Sequence, residues 1–184
     1  MFRDTLGGMA GEDPVVLVPY EEAWPSLFEE ERAHIEGAVG PWMEGIEHIG
    51  STAVPGLAAK PVIDIMVGVR SLEDTPALVA RLETIGYEYV PELEQQMAFR
   101  RYFRKISGGR RTHQIHLVER SNAAFWERHV LFRDYLRAHP EVAEGYARLK
   151  HEASERFRED RGAYTDAKTD FIAEVVRLAE KARD

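Results

Sequence analysis

Three patterns predict an α+β fold for this chain, a small mixed β-sheet with packed helices and a C-terminal helical tail. Up to residue 120, short β-branched runs alternate with glycine and proline turns. From Ser121 onward the apolar residues recur only at helical spacing. No repeat or linker divides the 184 residues, a length that one core can serve. The organisation predicted is a flexible leader over residues 1–14 and a single domain over 15–184, with a mixed core to residue 120 and the helical tail over 121–184.

The leader holds Gly7, Gly8 and Gly11 among charges and lacks the apolar stretch of a secretory signal. Val15 to Val18 reads as a short strand. Trp24-Pro25 opens a helix, with Glu29, Glu30 and Glu31 toward its positive end and Phe28, Ile35 and Val39 as its apolar stripe. Gly40-Pro41 ends it. Gly45 to Ile49 is a brief strand running into Gly50-Ser51-Thr52, and Ala53 to Pro61 is a loop. Val62 to Val69 is the next strand. Period-two alternation gives it a core face of Ile63, Ile65, Val67 and Val69, and an opposite face of Val62, Asp64, Met66 and Gly68. Ser71 and Asp74 are capping candidates for a helix with Pro76 near its start, Leu78, Val79, Leu82 and Ile85 on its apolar side, and Gly86 at its close. Tyr87 to Val90, Ala98 to Ile106 and Thr112 to Val118 are strand-like, the last two joined through Gly108-Gly109. The tail reads as three helices, marked by Phe125, Trp126 and Val130, then Val142, Tyr146, Leu149, Ala153 and Phe157, then Phe171, Ile172, Val175 and Leu178. It is expected to close one side of a cleft.

Composition narrows the chemistry. With no cysteine, disulfides, thiolate metal sites and a cysteine nucleophile are excluded, and a reducing, cytoplasmic setting fits. The apolar run from Pro61 to Val69 is too short for a membrane span and is broken by Asp64, so no membrane is expected. A formal net charge of −8 argues against binding long nucleic acid, which rests on many lysine and arginine contacts to phosphate. The window from Gln95 to Val118 is nevertheless free of acid and holds Arg100, Arg101, Arg104, Lys105, Arg110 and Arg111. A local basic patch suits a small anionic ligand.

The chemistry concentrates between His48 and Val69. A glycine and a hydroxyl residue at a strand end let backbone N–H groups approach a phosphate, which makes Gly50, Ser51 and Thr52 candidate ligand contacts. Aspartate is depleted in strands and costly to bury unpaired, so Asp64 in an apolar strand points to a role as metal ligand or as structural anchor. If Thr112 to Val118 is a strand, His113 and His116 lie on opposite faces and cannot share one metal. His116, on the more polar face, is the favoured site residue, as metal ligand or as proton carrier. Lys60, Arg100, Arg104 and Lys105 are candidate phosphate contacts, while Lys168 reads as solvated and His34, His129, His139 and His151 receive no role.

The chain resembles the GrpB family of nucleotidyltransferase-like proteins. The resemblance rests on His48-Ile49-Gly50-Ser51-Thr52-Ala53-Val54-Pro55-Gly56-Leu57 and Ala59-Lys60-Pro61-Val62-Ile63-Asp64-Ile65. It continues through Arg100 to Lys105, Arg111 to Val118 and Tyr164 to Lys168. It implies a polymerase-β-like nucleotidyltransferase sheet whose Gly-Ser turn binds a triphosphate and whose acidic residues hold Mg²⁺, with Asp64 as the metal ligand. The wider pattern has a second acidic residue two positions on, where this chain has Met66. Two functions remain open at this point. One is a nucleotide-binding candidate nucleotidyltransferase, with Asp64 and His116 as catalytic residues and an NMP group moved to a small acceptor. The other is a non-catalytic accessory module with a degenerate cleft, linked to coenzyme A because the family also resembles a domain joined to dephospho-CoA kinase. No Gly-x-x-x-x-Gly-Lys-Ser/Thr loop occurs, so the chain is not itself that kinase.

Overall fold

The computed structural model describes residues 14–95 and 97–183, which leaves the expected leader outside the described residues except for Pro14. Helix α1 (Trp24–Val39) and strand β1 (Met43–Ile49) lead into β2 (Ile63–Val69). Helix α2 (Thr75–Glu83) and strands β3 (Tyr87–Tyr89), β4 (Arg100–Ser107) and β5 (Arg110–Glu119) complete the mixed part. The tail is α3 (Ala123–Ala138), α4 (Pro140–Arg156), α5 (Arg161–Asp166) and α6 (Thr169–Lys181). The sheet order is β1-β2-β5-β4-β3, with β2 and β5 parallel and the other neighbours antiparallel.

The sheet separates two helical layers. On one face Ile63, Ile65, Val67 and Val69 of β2 and Ile115 and Leu117 of β5 pack with Trp24, Phe28, Ile35 and Val39 of α1 and Leu78 and Leu82 of α2. Each such side chain, fully buried, contributes about 1.5–3 kcal/mol of transfer free energy. The other face carries Ile49, Met66 and Val118 under Trp126 of α3. Gly68 is required there, because a Cβ on it would lie 2.8 Å from the Trp126 ring. Arg133 of α3 ties this layer to the sheet, donating to Glu47 (2.6 Å) and to the carbonyl of His48 (2.9 Å). A further cluster joins the loop after β1 to the tail through Val54, Leu57, Leu136, Tyr146 and Val175.

Three local expectations are corrected. Val15 to Val18 is not a strand: Val15 N–H donates to the carbonyl of Arg158, Val18 forms an isolated bridge with Ala59, and the segment straps the tail to the loop. Glu31 does not serve the helix dipole. It shares the buried stripe of α1 with Phe28 and Ile35 and is ion-paired there by Lys105. The tail has four described helices, because the six-residue α5 is too short to show an apolar period and is started instead by Asp160, which accepts from Ala163 N–H. Among the described residues no helix is long and apolar enough to cross a membrane.

Candidate functional site

At the end of β1 the chain turns at Gly50 with φ 71° and ψ −172°, a conformation essentially reserved for glycine. Register sets Ile49 opposite Asp64, and a Cβ on Gly50 would lie 2.9 Å from both Cβ and Cγ of Asp64. Glycine thus lets the turn close onto the carboxylate. Ser51 follows in a short 3₁₀ turn. Thr52 is turned inward, donating to the Val62 carbonyl (3.4 Å) while accepting from His48 Nε2 (3.0 Å). His48 itself stacks on Phe28, 4.7 Å between centroids, and burial foremost pushes its imidazole down to about 4. It is therefore held neutral.

Asp64 stands on the face of β2 opposite the main core, beside Gln114 of β5 in parallel register. Gln114 donates its amide to Asp64 Oδ1 and accepts from Tyr102 Oη (2.5 Å), which in turn accepts from Arg111 (3.0 Å). On the other side His116 Nε2 lies 3.7 Å from Asp64 Oδ1, and its Nδ1 faces Arg100 at 3.1 Å. Arginine can only donate, so Nδ1 is the acceptor and the His116 proton sits on Nε2, toward the carboxylate. Burial pushes the Asp64 carboxyl up. The His116 Nε2–H directed at it, the Gln114 amide and the charge of Lys60 prevail, holding it below its ordinary range and ionised at neutral pH.

The tail builds the opposite wall. Lys150 of α4, 1% exposed, donates to the Ala58 carbonyl and lies 5.0 Å from the Tyr146 ring centre. Tyr164 of α5 is approached by Lys168 at 4.0 Å and Lys60 at 5.3 Å. Burial raises the phenols of Tyr146 and Tyr164, so both stay neutral. The cavity between sheet and tail is about 190 Å³. Its lining includes the basic side chains Lys60, Arg111, Lys150, Arg161 and Lys168, and one carboxylate, Asp64.

Of the residues singled out in the sequence, Gly50, Ser51, Thr52, Lys60, Asp64 and His116 line this cavity. Arg100, Arg104 and Lys105 do not. Arg100 is 3% exposed beneath His116, Arg104 makes a two-point ion pair with Glu88 of β3 (2.9 and 2.8 Å), and Lys105 projects from the opposite face onto Glu31 (2.9 and 3.0 Å). His113 also faces that opposite side, near Lys105. Arg111, Gln114, His129, Tyr146, Lys150, Arg161, Tyr164 and Lys168 line the cavity without having been assigned there. The signal for Tyr164 and Lys168 was present, since both fall in the last block of the family resemblance. For Mg²⁺ the donor set is poor. Among the described residues no group of three or more His, Asp or Glu could hold a metal ion, and Met66, at the position of a second acid, is fully buried under Trp126. The residues do not fit a two-metal centre.

The family model described as GrpB protein matches residues 14–178. The chain belongs to the GrpB family. The Glutamate-rich protein GrpB of Alkalihalophilus pseudofirmus is 36% identical over 93% of this chain and 98% of its own length. The UPF0157 protein YqkA of Bacillus subtilis is 41% identical over 91% of this chain, which spans only 48% of that relative. A dephospho-CoA kinase of Mycolicibacterium paratuberculosis is 28% identical over 90% of this chain and 46% of that protein. Among solved structures, GrpB from Enterococcus faecalis superposes with a TM-score of 0.82 at 36% identity, covering 91% of this chain and 99% of that one. Terminal uridylyl transferase 4 from Trypanosoma brucei, solved with bound CTP, gives a TM-score of 0.52 at 14% identity over 94% of this chain and 52% of that one. This GrpB chain therefore has the nucleotidyltransferase-like fold.

Proposed function

We propose that the cleft of this GrpB protein binds the phosphate chain of a nucleotide or a related phosphorylated small molecule. The observation that carries the reading is charge placed against the trend of the molecule. A chain of net charge −8 gathers five basic side chains and a Gly-Ser turn around one carboxylate in a single cavity. At about 190 Å³ the cavity is smaller than the roughly 300–1,000 Å³ of pockets that enclose a whole drug-sized ligand, so it takes the phosphates and leaves the rest outside. Mg²⁺ enters this reading as an ion carried by the ligand's phosphates and touched by Asp64 alone.

Binding is favoured over nucleotidyl transfer by Met66. An apolar residue packed under Trp126 stands where a second carboxylate would have to face the metal, so the accessory-module reading leads. The partial match to a dephospho-CoA kinase adds dephospho-CoA, with its pyrophosphate, to the ligands worth testing.

Calorimetry with ATP, GTP, CTP, UTP and dephospho-CoA, with and without Mg²⁺, tests the proposal. Micromolar to millimolar binding is expected. Arg161→Ala and Lys168→Ala should each weaken it about tenfold or more, the effect of losing a charged contact of about 1.5–3 kcal/mol. Lys105→Ala should leave affinity unchanged and instead cost stability, about 1–3 kcal/mol, by stranding the buried Glu31. No heat with any ligand, in folded protein, would remove the reading.

A further inference from the structure

Lys150 is a basic side chain in a place that disfavours its charge. Only 1% of it is exposed, its described partners are the uncharged Ala58 carbonyl and the Tyr146 ring, and no carboxylate pairs with it among the described residues. Asp64, the one acid among the described residues of the cavity lining, is engaged by Gln114 and His116. A buried lysine in this situation sheds its proton unless an anion arrives.

We propose that Lys150 is uncharged in the free protein above neutral pH and takes up a proton when a phosphate chain enters the cleft, so that binding at this site is coupled to proton uptake by this one residue. The inference rests on the phosphate-binding reading above and says how that site acquires its last positive charge. Burial first, and the charge of Lys60 second, bring the Lys150 ammonium down to about 7. Other cations lining the cavity are Arg111 of β5, Arg161 of α5 and Lys168 after it, while the charge that acts on Lys150 directly is that of Lys60. Among the described residues Asp64 of β2 is the one acid on the cavity lining, and Tyr146 and Tyr164 are held neutral by burial. The remaining titratable groups on the lining are His116 of β5 and His129 of α3.

Linkage then sets the sign. Where the free protein lacks a proton that the complex holds, affinity falls as pH rises, by up to tenfold per pH unit. The probe is ATP without metal at pH 8 and pH 9, where its terminal phosphate, with a last pKa of about 6, no longer changes charge. The expected result is a Kd close to tenfold weaker at pH 9, and a binding heat at pH 8 that depends on the ionisation heat of the buffer with close to one proton absorbed. Lys150→Met should show neither effect and bind more weakly. A wild-type Kd equal at both pH values with buffer-independent heat would overturn the proposal, as would the same pH slope in Lys150→Met, which would move the proton to a histidine. Should Lys150→Met fail to fold, a lysine-labelled NMR titration of the wild type decides, with the Lys150 signal assigned from Lys150→Arg. It should titrate near pH 7 without ATP and stay charged to pH 9 with it, and a signal that stays charged to pH 9 in the free protein would contradict the inference. Absence of ATP binding even at pH 6.5 would mark the failure of the phosphate-binding reading itself, and this proposal would fall with it.

Discussion

His48 and Gly50 bracket the turn on which the cleft depends, and each makes a separable prediction. His48 is neutral in the fold, with its pKa lowered to about 4, while the unfolded chain protonates near 6.5. Between those values the unfolded state binds the extra proton, so stability rises with pH across that window and is lost as pH falls from 6.5 to 4. At about 1.4 kcal/mol per unit the loss from His48 is roughly 3 kcal/mol. His113, also lowered, chiefly by burial, adds to it in the same direction. Urea unfolding at pH 7 and 4.5 should show this loss in the wild type and a shallower dependence in His48→Gln. Asp64 acts further into acid: its lowered carboxyl contributes stability that disappears only as pH drops through its folded pKa, below the ordinary carboxylate range. For Gly50→Ala, the glycine-only backbone and the blocked approach of Asp64 together predict a loss of at least about 1–3 kcal/mol and a distorted cleft, read by thermal unfolding and by lost ATP binding. Asp64 was legible in the sequence because a carboxylate in an apolar strand is conspicuous. Lys150 was not, because a lysine between Leu149 and His151 on a helix looks like any solvated one until the helix is docked.

The long elements were readable and the short ones were not. Helix α1, strand β2 and the β4–β5 hairpin carry enough period to be placed from sequence, and the alternation of β2 correctly divides the core face from the cleft face. Helix α5 has six residues, one large apolar side chain and a glycine, so nothing periodic announces it, yet it supplies Arg161, Tyr164 and Thr165 to the cleft. Strand β4 shows the opposite failure. Its cluster of basic residues is visible at once, but alternation sends Lys105 to the far face and Arg104 to Glu88, while Arg100 orients His116. A basic cluster in sequence is not a basic patch in space. Packing between elements predicts that Gly68→Ala, by forcing Trp126 off the sheet, destabilises the fold by about 1–3 kcal/mol, the range for overpacking a core site, which urea unfolding would measure.

For the molecule as a whole, division of labour follows from the layers. The face toward α1 and α2 is a closed apolar core, whereas the face toward α3 to α6 is apolar only near Trp126 and opens beyond it into the basic cavity. The sheet positions the Gly-Ser turn, Asp64 and His116, and the tail brings most of the positive charge. Neither part makes the site alone. The most direct test is a crystal structure with a nucleoside triphosphate whose α,β-bridge cannot be cleaved. The account predicts phosphate oxygens between Gly50-Ser51, Lys60, Lys150 and Lys168, with the base outside the cavity. Phosphates bound instead along Arg104 and Lys105, or an empty cavity at saturating ligand, would contradict it.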